Sequence, residues 1–210
     1  MKVTLVSATE DAEKWIVEMA RVSAKPTPTP EPPDRLMRYL VNKKHWSPLE
    51  MAHMTVEVLT TRDISRQMLR HSSFSFQEFS QRYQDVGVLQ EMPVKRECRL
   101  QDPKNRQNSL NTDDESLKQK WDEMQEEVWA VAHRNYQAAL LLGIAKEQAR
   151  ALLPEGLTAT RMYMSGNMRS WFHYCKARGP GSGTQKEHME VAAAIRDIFA
   201  QQMPITALFI

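Results

Sequence analysis

The segment RHSSFSFQEFSQRY, residues 70–83, concentrates side chains that can bind an anion and orient a ring. If its second half is extended, Glu78, Ser80 and Arg82 share one face, because side chains alternate along a strand. A guanidinium can hold phosphate through two charge-assisted hydrogen bonds, and Arg70 adds a second cation just before. The pattern predicts a site for a phosphorylated sugar, although an edge strand with a surface ion pair would have the same pattern.

Other catalytic and binding patterns do not fit the chain. GPGSG lacks the Lys-Thr or Lys-Ser that follows a phosphate loop, and no Gly-x-Ser-x-Gly elbow occurs. No His-x-x-x-His or Cys-x-x-Cys pair suggests zinc, so we expect no metal site. Cys98 and Cys175 lie far apart in the sequence, outside any context that marks a nucleophile. We therefore expect two free thiols in a reducing compartment.

The composition indicates one globular domain that spans residues 1–210. The chain is 41% hydrophobic and 26% charged, which suits a compact fold that needs no disulfide bond or structural metal ion. Its formal net charge of +2 argues against a nucleic-acid partner. The longest apolar run, AALLLGIA, is too short to span a membrane, and no signal peptide is visible, so we expect a cytoplasmic protein. The proline-rich stretch at 26–34 is interpreted as a surface loop.

The elements that position these side chains are mostly helical. Alternating residues predict strands at 2–9, 51–60 and 158–164, and the period of two from Ser73 to Arg82 predicts another. Helical spacing predicts helices at 12–20, 34–43, 61–71, 115–142, 145–153, 167–178 and 186–202. Residues 84–113 have no regular pattern. The fold predicted is α+β and helix-rich, with a small central sheet flanked by long helices.

Two local details follow from this interpretation. Thr9 and Asp11 are placed to cap the first helix. Arg62, Arg66 and Arg70 fall at i, i+4 and i+8, on one face of the helix at 61–71. With the nearby phenylalanines, these arginines would also suit a module that binds single-stranded nucleic acid, and this alternative stays open at this point.

The same segment resembles the signature of the flavin-dependent thymidylate synthases, Arg-His-Arg-x-x-Ser-x-Asn-Glu-x-Ser-x-Arg. Six of its eight fixed positions match without a gap, whereas Ser72 replaces arginine and Gln77 replaces asparagine. The blocks HWSPLEMAHMTVEV, RLQDPKNRQNS, ARALLP, NMRSWFHYCKAR and TQKE resemble later or flanking parts of the family in the same order. The matching residues are Arg70, His71, Ser75, Glu78, Ser80 and Arg82.

The resemblance implies that dUMP is converted to thymidylate, with methylenetetrahydrofolate as carbon donor and NADPH as reductant of FAD. It also implies a homotetramer whose sites are shared between subunits. Arg178 is the implied catalytic residue, a cation that stabilises negative charge on the uracil ring. The residues implied to bind dUMP are Gln67, Arg70, Glu78, Ser80, Arg82, Arg150 and Arg178.

The FAD site implied by the resemblance draws on three separate blocks of the sequence. Ser72 cannot supply the charge of the arginine that it replaces, and His173 stands where asparagine is common. Ser72 and Gln77 leave open a related enzyme that acts on another pyrimidine nucleotide or leaves a hydroxymethyl group. The residues implied to bind FAD are Ser47, Arg70, His71, Ser72, Glu78, Asn167, Arg169 and His173.

Overall fold

The computed structural model describes residues 1–23, 32–89 and 92–210. It is helix-rich with small sheets, so the predicted α+β class is confirmed. The strands are β1 (Lys2–Ala8), β2 (His53–Thr61), β3 (Ser75–Glu78), β4 (Arg99–Gln101), β5 (Ser109–Asn111) and β6 (Ala159–Asn167). The helices are α1 (Ala12–Ala20), α2 (Pro33–Asn42), α3 (Arg62–Met68), α4 (Glu115–Leu141), α5 (Lys146–Ala149), α6 (Met168–Arg178) and α7 (Lys186–Gln202).

The strands form a four-stranded sheet with the order β1-β2-β6-β3 and a two-stranded hairpin of β4 and β5. In β2, Met54, Val56 and Val58 are buried and alternate with less buried residues, as the period of two predicts. The hairpin is antiparallel and pairs Leu100 with Leu110. It lies in the segment 84–113, which the sequence pattern left irregular.

The chain divides into two compact units. Unit 1 comprises Met1–Val58, Leu69–Gln77 and Tyr163–Ile210, and unit 2 comprises Leu59–Met68 and Glu78–Met162. In unit 1 the largest side chains with less than 2% exposure include Trp171, Tyr174 and Phe199. Unit 2 has a buried cluster formed by Val86, Tyr136, Ala139, Ala149 and Leu153.

The ends of the helices follow from local chemistry. Asp114 caps α4, because its carboxylate accepts a hydrogen bond of 3.0 Å from the Leu117 backbone N–H. Gly143, with φ of 78°, ends this helix in the left-handed region that favours glycine. Asp11 precedes α1 but makes no side-chain cap, so that prediction was wrong. The hydroxyl of Thr9 accepts from the His53 backbone N–H at 3.0 Å instead.

Two predicted elements around the signature are shorter than expected. Helix α3 ends at Met68, so Arg70 lies in the following turn and does not share a helix face with Arg62 and Arg66. Strand β3 ends at Glu78, and the backbone then turns, so the predicted common face of Glu78, Ser80 and Arg82 was wrong. Of the proline-rich segment, residues 26–31 lie outside the described residues, and α2 begins at Pro33.

Gly166 in β6 is required by close packing in unit 1. A Cβ atom at this position would lie 2.5 Å from Cδ1 of Phe74, which real Cβ contacts do not allow. The Phe74 ring cannot easily move, because it packs edge-on against Trp171 at a centroid distance of 4.5 Å. The Phe74 ring can therefore occupy this position only because residue 166 has no side chain.

We expect Gly166→Ala to lower the free energy of unfolding by about 1–3 kcal/mol, because overpacking forces a rigid ring to shift. Urea denaturation of the purified variant measures the change. Gly156→Ala is the matched control, since nothing lies within 4 Å of its Cβ position. The control should change stability by less than about 1 kcal/mol. Equal effects of the two substitutions would contradict the packing argument.

Candidate active site

Glu78 is the centre of a hydrogen-bonded cluster in unit 2. Its Oε1 accepts from the Ser65 hydroxyl at 2.8 Å and from the Thr160 hydroxyl at 2.9 Å. Its Oε2 accepts from the guanidinium of Arg66. The Glu78 side chain is only 14% exposed, so each of these donors offsets the cost of removing its charge from water.

A second arginine belongs to the same cluster. Arg62 Nη1 lies 3.9 Å from Glu78 Oε1, and the Arg62 side chain is 12% exposed. Burial lowers the pKa of Arg62, the charge of Glu78 opposes this shift, and the nearby cations Arg66 and Arg150 add to it. The cluster thus collects positive charge around one buried carboxylate.

Arg82 and Arg150, both predicted to bind the substrate, meet at Glu147 in unit 2. Arg82 Nε lies 3.3 Å from the Glu147 carboxylate, and Arg150 Nε donates to the Glu147 carbonyl at 3.3 Å. The Ser80 hydroxyl accepts a long hydrogen bond of 3.4 Å from the Arg82 backbone N–H. Two guanidinium groups that contact the same residue, Glu147, could bind one phosphate between them.

Unit 1 brings together His71 and Arg178, the catalytic residue that the sequence predicts. Arg178 Nε donates to His71 Nε2 at 3.1 Å, so this nitrogen is the unprotonated acceptor. Burial and then the charge of Arg178 lower the pKa of His71. Because the imidazole is neutral, it accepts this hydrogen bond without repelling the positive guanidinium of Arg178.

A cavity of about 410 Å³, lined by residues of polar type, lies in unit 1 at the start of α6. The Asn167 side chain caps this helix by accepting from the Ser170 backbone N–H at 2.8 Å. Arg169 donates a hydrogen bond to Glu50. The His173 ring contacts Trp46 at a centroid distance of 4.8 Å. The lining residues are Glu50, Ser73, Asn167, Arg169, Ser170 and His173.

The remaining predicted residues lie on the signature segment or on flanking elements. Arg70 and Ser72 are exposed in the turns that precede β3, and Ser47 is exposed at the start of the short 3-10 helix Ser47–Met51. Gln67 is half-buried on α3. In unit 1 the structure therefore groups His71 with Arg178, and Asn167 with Arg169 and His173. In unit 2 it groups Arg82 with Arg150 and surrounds Glu78 with donors.

Comparisons with known proteins show which family the chain is similar to. The family model described as "Thymidylate synthase complementing protein" matches residues 4–205. A flavin-dependent thymidylate synthase of Synechocystis is 47% identical over 197 residues, 93% of this chain and 87% of that protein. A probable flavin-dependent thymidylate synthase of Paramecium bursaria Chlorella virus 1 is 44% identical over 204 residues, 97% of this chain and 92% of that protein.

The chain belongs to the flavin-dependent thymidylate synthase family. A solved structure has a similar fold: the UMP/dUMP methylase PolB of Streptomyces cacaoi, bound with 5-Br dUMP. It superposes with a TM-score of 0.85 at 30% identity and covers 99% of this chain and 93% of that chain. The predicted family and its enzyme class, a methyltransferase, are confirmed, and the nucleic-acid module is not favoured.

Two further observations on this flavin-dependent thymidylate synthase concern membrane spans and metal ions. No described helix is both long and apolar enough to cross a membrane. Among residues 1–23, 32–89 and 92–210, no three His, Cys, Asp or Glu side chains are grouped so that they could hold a metal ion.

Several residues around the predicted site were not singled out by the sequence as site residues. Arg62 and Arg66 were noticed for their spacing but not as partners of Glu78. Glu50 lies in the block HWSPLE, where the family resemblance could have indicated it. Ser73 and Ser170 carry no sequence signal, since isolated serines are common on surfaces. The cavity shape alone brings these two residues to attention.

We expect Glu78→Gln to lower the free energy of unfolding by about 2 kcal/mol or more, because it leaves two arginines without their carboxylate. Urea denaturation measures the loss. Glu147→Gln is the control: it removes a carboxylate whose side chain is 48% exposed and whose partner Arg82 is 58% exposed. An exposed pair contributes less than about 1 kcal/mol. The role of Glu78 would be refuted if both variants unfolded at the same denaturant concentration.

Proposed function

We propose that the protein converts dUMP to thymidylate, with methylenetetrahydrofolate as carbon donor, NADPH as reductant and FAD as bound cofactor. The observation that carries the proposal is the 47% identity, over 93% of the chain, to a protein named flavin-dependent thymidylate synthase. The dUMP analogue in the PolB structure supports a pyrimidine nucleotide as substrate.

The nucleotide phosphate would be bound by the arginines of unit 2, with support from the signature. Arg82 and Arg150 already lie on one anchor, and their guanidinium groups can hold phosphate in two-pronged fashion. Glu78 has a supporting role in this proposal, because its oxygens accept from Ser65, Thr160 and Arg66. The full set proposed for dUMP is Gln67, Arg70, Glu78, Ser80, Arg82, Arg150 and Arg178.

Arg178 is the proposed catalytic residue. A cation fixed beside the uracil ring stabilises negative charge that develops there, and fixing it in advance avoids reorganisation during the reaction. The hydrogen bond to His71 fixes its Nε. Thiolate attack is disfavoured at Cys175, because burial raises the pKa of its thiol to about 12.

The residues of unit 1 fit a flavin dinucleotide in their chemistry. The cavity at the start of α6 offers hydroxyl, amide, imidazole and guanidinium groups, which suit ribityl and phosphate oxygens. Bound FAD would supply the transfer of electrons from NADPH. The set proposed to hold it is Ser47, Arg70, His71, Ser72, Glu78, Asn167, Arg169 and His173.

We also propose a homotetramer with shared sites, formed by one domain of residues 1–210 in the cytoplasm, without a membrane or nucleic-acid partner. An apolar stripe on α4 supports the assembly. Its members are 36–58% exposed and follow spacings of four and three residues, the pattern of helices that pack on one another. The stripe consists of Leu117, Trp121, Met124, Val128 and Val131.

The activity is tested with purified, FAD-loaded protein, NADPH and methylenetetrahydrofolate labelled in its methylene group. We expect labelled thymidylate from dUMP and bleaching of the flavin absorbance by NADPH. Arg178→Ala should lower kcat by roughly 10²–10³-fold, since it removes the group that stabilises charge. The exposed Arg134→Ala is the control and should leave kcat unchanged.

Parallel reactions with UMP and dCMP define the substrate. A labelled product from either nucleotide, with none from dUMP, would contradict the proposed reaction. A colourless protein that takes up no added FAD would contradict the proposed cofactor.

The assembly is tested by sedimentation of the wild-type protein and of Val128→Glu. We expect the wild type to sediment as a tetramer and the variant to shift to smaller species, because a buried unpaired charge is costly. Ala130→Glu places the same charge on an exposed part of α4 outside the stripe and should remain tetrameric. A monomeric wild type, or equal dissociation of both variants, would refute the role of the stripe.

A further inference from the structure

A buried hydrogen-bonded pair in unit 1 has no part in the proposed ligand contacts. The Tyr174 hydroxyl and His188 Nε2 lie 3.0 Å apart. Tyr174 is 1% exposed and His188 is 0% exposed. Buried polar groups are costly unless they are paired, and this hydrogen bond pairs the tyrosine hydroxyl with His188 Nε2. The pair joins α6 to α7.

This pair lies directly behind His71. The His71 ring meets the Tyr174 ring edge-on, with centroids 4.9 Å apart and planes at 76°. His71 and His188 are also close, with ring centroids 6.3 Å apart. Phe74 and Trp171 contact the same tyrosine at 5.8 Å and 6.0 Å. The ring against which His71 packs is thus held by its neighbours and by its own hydroxyl.

The positive charge of Arg178 affects the pKa of both imidazoles, His71 and His188. Burial lowers the pKa of His188 to about 4, with further contributions from Arg178 and His71. The pKa of His71 is lowered by burial and by Arg178. Both imidazoles are therefore neutral at pH 7. Because Arg178 donates to His71 Nε2, the proton of His71 is assigned to Nδ1.

We propose that Tyr174 and His188 are positioning residues. Their hydrogen bond fixes the aromatic surface against which His71 packs, so that His71 Nε2 faces Arg178 Nε. The orientation of the guanidinium depends on this chain of contacts. The catalytic consequence rests on the proposed role of Arg178, whereas the effect on His71 is independent of that role.

Four variants separate positioning from simple support of the fold. Tyr174→Phe and His188→Leu each break the hydrogen bond between the tyrosine hydroxyl and Nε2 by removing one of its two partners. The double variant removes both groups of this hydrogen bond, so it should lose less stability than the sum of the two single losses. His188→Gln is the conservative change, since its amide oxygen can accept from the tyrosine hydroxyl.

The first measurement is ¹⁵N NMR of histidine-labelled, FAD-loaded protein without nucleotide, with His71 assigned from a His71→Gln spectrum. We expect wild-type His71 to carry its proton on Nδ1 and to titrate below 6.5. In His188→Leu and in the double variant, we expect mixed tautomers and a pKa closer to 6.5, because the contact with Arg178 is loosened. His188→Gln should resemble the wild type.

The second measurement is steady-state kinetics. We expect kcat to fall roughly tenfold to a hundredfold in Tyr174→Phe, His188→Leu and the double variant, since small misplacements of a catalytic group have effects of this size. KM for dUMP should change less than about threefold, and His188→Gln should recover most of kcat.

The proposal is overturned if the double variant, once folded, has wild-type kcat. It is also overturned if the tautomer and pKa of His71 are the same in every variant. Should the wild type form no thymidylate, the NMR result would still decide whether the pair positions His71.

Discussion

The burial of the Glu78 carboxylate is the constraint on which the signature region depends. Its oxygens accept hydrogen bonds from Ser65 and Arg66 on α3 and from Thr160 on β6. A buried carboxylate cannot remain charged without such donors, and Arg62, which is 12% exposed, depends in turn on the carboxylate. Glu78, Ser65 and Thr160 must therefore come together in one way, and this places Arg62 and Arg66 beside the same carboxylate.

Most of the secondary structure could be predicted because its signals are local. Helix α7 has the predicted bounds, since its apolar residues recur at helical spacing until the chain approaches Pro204. Helix α4 stops where Gly143 adopts a positive φ. The predictions failed where a distant partner decides the structure. The period of two continues past Glu78, but the strand ends there, and the guanidinium of Arg82 reaches Glu147.

Of the candidate site, only the residues that belong to sequence motifs could be predicted. The resemblance indicated His71, Arg178 and the α6 residues, and the structure brings members of each group together. The sequence carries one further signal at His188, which occupies the apolar stripe of α7 with Val191 and Ile195, where a histidine requires a buried partner. Which side chain that partner is depends on how α6 packs against α7, and no spacing within either helix reveals it.

The contact between Gly166 and Phe74 couples the residue types that these two positions, distant in sequence, can accept. A methyl group at 166 is tolerable only if the aromatic ring at 74 becomes smaller or moves. Such a change would also withdraw the ring from Trp171 and Tyr174. Substitutions at 74 and 166 should therefore arise together during divergence, and the glycine should persist in every descendant that keeps the phenylalanine.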